Sequence, residues 1–214
     1  MSPEPSTAAR DRARGRTERT RAALVDTAER MIAERGTAVS LREISSAAGQ
    51  RNHSAAQYHF GSREGLVTAV IRHRSAPIDT RRRELLEQVA PGSGPARVTA
   101  LVAVLVQPWV DVLADSDGDS CYLRFLAQVL DDPDLRVALG GQHEGPDAVR
   151  EVNEELARLL AHLPAREQAR RIAWASAVAL RLLAHEERRG TTDAAALRTA
   201  GDDLVRMLTA LLAG

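Results

Sequence analysis

The 214-residue chain contains no lysine, so all 29 of its basic side chains are arginine; this is most simply a coding bias and carries no phosphate chemistry by itself. Aromatic residues make up only 3% of the chain. Runs in which Val, Ile, Thr and aromatics alternate are scarce too, which argues against sheets and leaves an all-α fold as the expectation. The single cysteine, Cys121, excludes an intrachain disulfide, and no Cys/His cluster has zinc-site spacing. The longest uninterrupted apolar run, Ala100 to Val106, falls well short of the ~18 residues of a membrane helix. The N-terminus also lacks the apolar stretch of a signal peptide, so a soluble cytoplasmic protein without membrane contact is expected. There is no nucleophile motif, no Gly-rich phosphate cradle after a strand and no carboxylate pair with a clear role. The chain is therefore not expected to be an enzyme or to need a cofactor or metal.

Hydrophobic residues, at 44%, suffice for one compact domain and a smaller appended one. The formal net charge is zero, which would argue against nucleic-acid binding if charge were spread evenly. It is not: residues 1–83 carry 16 Arg against 9 acids, and residues 84–214 carry 13 Arg against 20 acids. This asymmetry points to a basic part that meets a polyanion and an acidic part with another task.

Residues 1–16, with Pro3, Pro5 and Gly15 and hardly any large apolar side chain, read as a mobile basic arm. Its Arg10, Arg12, Arg14 and Arg16 either follow the DNA minor groove or backbone, or belong to an uninvolved solvated tail. From Thr17 to Arg35, Leu24, Ala28, Met31 and Ile32 recur on one helical face, and Gly36 ends the helix. Ser40 and Glu43 form an S-x-x-E capping box for a second helix whose stripe is Leu41, Ile44 and Ala48. Gly49 suits a left-handed turn, and a short third helix is expected from about Asn52 to His59. Ser62 caps a fourth helix striped by Leu66, Val67, Val70 and Ile71. The remainder reads as about six more helices, punctuated at Pro77, Pro91 to Pro95, Asp115 to Asp119, Asp131 to Pro133, Gly140 to Pro146, Leu163-Pro164 and Gly190 to Asp193. Pro108 is expected to kink or split its helix, leaving room beside a cavity.

Short helices around a tight Gly-containing turn are the parts of a helix-turn-helix. The stretch Gln50 to Phe60 is polar where a core helix would be apolar, and its residue types are those that read DNA. Arg51, Asn52 and His53 are the candidates for base edges; Ser54, Gln57, Tyr58 and His59 complete the set, the hydroxyl and ring donors among them suiting phosphates. Each has a plainer alternative: Arg51 as a solvated turn residue, Tyr58 as an aromatic closing a small core, His59 as a helix-end cap. Ala55 and Ala56 allow close approach either to the groove wall or to the supporting helix.

Gly49 followed by Tyr58-His59-Phe60-Gly61-Ser62-Arg63-Glu64-Gly65-Leu66 resembles the signature of the TetR-type transcriptional regulators, over roughly Thr17 to Arg74. The resemblance implies an N-terminal helix-turn-helix domain, a larger C-terminal domain with a small-molecule pocket, and a homodimer joined by the last two long helices. It makes Tyr58, His59 and Arg63 phosphate contacts and Phe60 a core plug. Gln57 stands where the family often has an aromatic, and the interval from Gly49 to Phe60 is one residue longer than the common spacing. The domain expectation is thus arm 1–16, helix-turn-helix 17–75, and ligand-sensing and dimerisation domain 76–214.

The two C-terminal helices are apolar on more than one face, through Ile172, Trp174, Val178, Leu180, Leu182 and Leu183 in one and Leu197, Leu204, Val205, Met207, Leu208, Leu211 and Leu212 in the other, and such surplus apolar surface argues for a four-helix bundle across a two-fold axis. The alternative is that this chain's own helices cover them. Trp109, Cys121, Tyr122, Phe125 and Gln128 flank the Pro108 position and are candidates for a mostly apolar pocket, with plain core as the alternative. Cys121 has no basic neighbour in sequence to lower its pKa and reads as an inert thiol; His143 and Glu144 are too sparse for a metal site. The expectation is a sequence-specific regulator, a repressor of a palindromic operator in double-stranded DNA that a mostly apolar effector releases. The alternatives are a helical ligand-binding protein or enzyme with a vestigial DNA-binding segment, and a ligand-independent DNA-bound adaptor.

Overall fold

Helix formation begins well before the first apolar stripe. The computed structural model describes residues 7–136 and 148–213, with side chains from residue 14 onward, and in it helix α1 spans Thr7–Arg35. Positions 7–16 are therefore helical backbone and not part of an irregular arm. A helix already nucleated where Leu24, Ala28 and Ile32 are buried extends through Ala- and Arg-rich sequence at small cost per residue, with Gly15 the weakest former. Arm positions 1–6, and the Gly140 to Pro146 segment with His143 and Glu144, lie outside the described residues.

Helices α2 (Leu41–Ala47), α3 (Ala55–Phe60) and α4 (Arg63–Gln88) follow. The capping box forms as the sequence predicts: the Glu43 amide donates to Ser40 Oγ at 3.2 Å, and the Ser40 amide donates to Glu43 Oε2 at 2.9 Å. Those bonds, with Arg35 beside them, hold the Glu43 carboxyl down at about 2. Helix α4 continues through the Pro77 punctuation. Pro77 is exposed, so the carbonyl it leaves without a donor lies where water can reach it.

The remaining helices are α5 (Pro95–Ala114), α6 (Tyr122–Asp131), α7 (Ala148–Leu159), α8 (Ala165–Arg189) and α9 (Ala194–Ala213). No strand occurs among the described residues. Pro108 does not split α5, one of the two outcomes expected of it: burial of Val104, Val106, Val110 and Leu113 on both sides of it outweighs the ~3 kcal/mol that an interior proline costs. Taken over a window that tolerates isolated polar residues, α5 is long and apolar enough to cross a membrane by length and composition. Here it is packed between α4 and α9. The α9 contact is close because Gly201 has no side chain; a Cβ there would stand 2.7 Å from a Val110 methyl. Helix α6 lies between α1 and α8, so it touches both the N-terminal helices and the C-terminal pair.

Candidate nucleic-acid interface and the cavity behind it

The seven residues from Ala48 to Ser54 separate α2 from α3. This long turn changes where the expected base readers sit: Arg51, Asn52, His53 and Ser54 are exposed in the turn and not on the helix. The turn is self-stabilised, since Asn52 Oδ1 accepts from the Ser54 amide at 3.0 Å and thereby competes with helix formation at these positions. Helix α3 consequently starts at Ala55, three residues later than the sequence predicts, and includes Phe60.

Ala55 and Ala56 are buried, which decides between their two readings in favour of close approach to the supporting helices. A residue that the sequence did not single out fixes this approach. Ser45, fully buried on α2, donates to the Leu41 carbonyl at 2.9 Å and accepts from the Ala56 amide at 3.0 Å. Its only sequence signal is a hydroxyl four residues beyond Leu41, next to the apolar stripe. The opposite side of α3 presents Gln57 and Tyr58, and Tyr58 is 83% exposed, so it closes no core. Gln57 bonds the Gly61 carbonyl. The half-buried His59 ring meets Tyr58 edge-on with centroids 5.2 Å apart. Phe60 packs on the core with the Arg21 guanidinium 4.5 Å over its ring, and Arg21 also donates to the His59 carbonyl at 3.3 Å.

Between α3 and α4 the chain turns through Gly61 at φ 74°, and Ser62 Oγ accepts from the Gly65 amide at 3.1 Å. Gly65 is required for space: a Cβ there would lie 2.1 Å from the Phe60 carbonyl oxygen. Gly65→Ala is expected to cost about 1–3 kcal/mol through forced backbone displacement, read as a lower midpoint of thermal unfolding. An unchanged midpoint would show that the turn relaxes freely.

Arg63 does not stand outward beside Tyr58. Its guanidinium donates to the Thr37 carbonyl at 2.5 Å and pairs with Asp132, which caps the end of α6, at 3.3 Å. A phosphate contact by Arg63 therefore requires this pair to open. A second link joins the same parts: Glu29 on α1, 2% exposed, accepts from Arg74 Nε at 2.6 Å and from the Cys121 thiol at 3.6 Å. Burial, and then Glu29 and Glu187, push the Cys121 thiol up to about 12, so it stays protonated and inert at neutral pH.

Behind the helix-turn-helix lies a cavity of about 960 Å³ between α4, α5, α6, α7, α8 and α9. Its walls are mostly apolar, with Ile78, Leu105, Leu126, Ile172 and Leu208 among them. Polar side chains interrupt these walls at Ser75, Asp79, Arg82, Arg150, Asn153, Glu154, Gln168 and Ser176. Arg82, 6% exposed, pairs with Asp79 at 2.9 Å and lies 5.2 Å over the Trp109 ring, while Asn153 Oδ1 is buried with no hydrogen-bond partner among the described residues. Of the expected pocket residues, Trp109 and Tyr122 are on the wall; burial raises the Tyr122 phenol well above its ordinary value, so it remains a neutral hydroxyl. Cys121, Phe125 and Gln128 are not on the wall, and the helical period explains the correction. Tyr122, Leu126 and Leu130 share the α6 face turned to the cavity, whereas Cys121 turns to Glu29, Phe125 is fully buried core and Gln128 lies beside Gly36. The contribution of α7, through Asn153 and Leu156, had no local signal.

Residues 24–70 match the family described as bacterial regulatory proteins, tetR family. No curated protein matches the chain. Among solved structures, the chain is similar in fold to NalD, the secondary repressor of the MexAB-OprM multidrug efflux pump in Pseudomonas aeruginosa. The TM-score is 0.56 at 18% identity, covering 90% of this chain and 96% of that one. A TetR-family regulator from Streptomyces coelicolor A3 aligns at 22% identity with a TM-score of 0.43, covering 92% of this chain and 96% of its own.

Proposed function

We propose that the chain, whose residues 24–70 match the tetR family of bacterial regulatory proteins, is a DNA-binding transcriptional regulator that acts as a cytoplasmic homodimeric repressor released by a small molecule. Each protomer offers α3 and the preceding turn to a half-site of a palindromic operator in double-stranded DNA. Gln57, Tyr58 and His59 act from the helix, and Arg51, Asn52, His53 and Ser54 from the turn. The N-terminal helices form the DNA-binding part, and the chain beyond about residue 75 is the sensing and dimerising part.

The observation that carries this reading is the shared helix α4. It begins at Arg63, directly after α3, and its Ile71, Ser75 and Ile78 line the cavity. A mostly apolar effector that fills the cavity and prefers a displaced α4 shifts the population away from the DNA-competent arrangement, by the difference in its affinity for the two. Selection from random duplex DNA should return a palindrome with half-sites about one helical turn, ~34–36 Å, apart. On that site Tyr58→Ala should reduce affinity roughly tenfold or more with no loss of thermal stability, since Tyr58 is solvent-exposed. A variant that binds as tightly as the parent chain would remove α3 from the interface. A titration series of apolar compounds in which none weakens operator binding would count against effector release.

A further inference from the structure

Resting on the reading of α3 as the DNA-contacting helix, we propose that the N-terminal turns of α1, through Arg14, Arg16 and Arg19, form a second phosphate-binding surface that grips the DNA backbone flanking each half-site. Three observations carry it. The first is charge: positions 10–21 hold six arginines against only Asp11 and Glu18, in a chain whose net charge is zero.

The second is availability. Arg14, Arg16 and Arg19 are exposed, and none makes an ion pair among the described residues. Elsewhere the chain pairs its arginines repeatedly, as in Arg35 with Glu43, Arg74 with Glu29, Arg97 with Glu155 and Arg171 with Glu167. A positive cluster left without such partners repels itself in the free protein and gains when a polyanion neutralises it.

The third is placement on a rigid element. Arg21 ties α1 to the end of α3 through the His59 carbonyl and the Phe60 ring, beside the exposed Tyr58. From Arg21 back to Thr7 the backbone stays helical, about 21 Å at 1.5 Å per residue, so α1 continues past α3 as a rod. The seven-residue spacing of Arg14, Arg21 and Ala28 puts Arg14 on the stripe that meets α3, while Arg16 and Arg19 lie on the other side of the rod. A rod charged on both sides is suited to track the phosphate backbone, whereas threading a minor groove calls for an extended arm.

The test uses the full chain and the selected site in two duplexes, one with about 10 flanking base pairs on each side and one trimmed to the site. Arg14→Ala, Arg16→Ala and Arg19→Ala are combined, Arg21 being left in place because it holds α3. On the long duplex, the slope of log affinity against log salt should fall in magnitude by about 2–5, each lost phosphate contact contributing about 0.9. On the trimmed duplex the variant and the parent chain should converge. Hydroxyl-radical footprinting of the unmodified chain should show backbone protection outside the half-sites, a readout that does not depend on the variant folding. Equal slopes on the long duplex, an equal reduction on both duplexes, or a footprint confined to the half-sites would each overturn the proposal while leaving α3 as the reading helix. Absence of DNA binding by the parent chain would remove both readings.

Discussion

A chain carrying Leu182→Glu and Met207→Glu is expected to be monomeric and to bind its operator at least roughly 100-fold more weakly, because linking two half-site contacts is worth about 10²–10⁴ in affinity. Trp174, Val178 and Leu182 recur every four residues on α8 and stay exposed, as do Met207 and Leu211 on α9. Within this protomer the two helices pack against each other, and α9 also packs on α5, yet this apolar strip is left uncovered. An exposed strip of that kind is what a second copy buries in an isologous contact. Two carboxylates placed on it would face their symmetry mates in the dimer without partners, while each protomer keeps its own core. Sedimentation velocity reads the assembly, and fluorescence anisotropy on the selected duplex reads the affinity. A double variant that remains dimeric would move the interface elsewhere.

Glu187→Ala is expected to destabilise the fold by about 3–5 kcal/mol, the range for removing one member of a buried charged network. Glu187 sits on α8, 6% exposed, and its carboxylate serves the start of α6. Its Oε1 accepts from the Ser120 hydroxyl at 2.6 Å and the Leu123 amide at 3.1 Å; its Oε2 accepts from the Arg124 amide at 2.7 Å and lies 3.5 Å from Arg124 Nε. A helix N-terminus leaves amides without intrahelical partners, and the positive end of its dipole favours an anion. Alanine would leave those amides and the Arg124 charge without their acceptor. The midpoint of thermal unfolding should fall by roughly 6–20 °C, at about 2–4 °C per kcal/mol for a chain of this size. Glu187→Gln, which keeps one acceptor oxygen, should fall between the two. An alanine variant melting within about 2 °C of the parent chain would show that water replaces the carboxylate at little cost.

Both predictions concern features with very different visibility in the sequence. Although the packing decides that Trp174, Val178, Leu182, Met207 and Leu211 are the ones left exposed, that α8 and α9 are apolar on more than one face follows from helical periodicity. Glu187 does not: it stands in a charged stretch, Glu186 to Arg189, that reads as solvated surface, and its partners are more than 60 positions away. The same contrast runs through the N-terminal helices. Ser40 with Glu43, and Gly36, Gly49 and Gly61 at positive φ, behave as their residue types require. Arg63 does not, because whether it faces a phosphate or Asp132 depends on where α6 ends in space.

What the linear chain determined is whatever acts within about one helical turn: caps, left-handed glycines and apolar stripes. Such interactions are local, so no knowledge of packing is needed to read them. Only the packed structure decided that Pro77 and Pro108 are tolerated, that Ala55 and Ala56 face the supporting helices, and that Ser45 clamps α3. It also decided which face of α6 borders the cavity. A cavity is the space that helices distant in sequence leave between them, and a buried charge takes its partner from whichever helix is pressed against it; neither is set by neighbours along the chain.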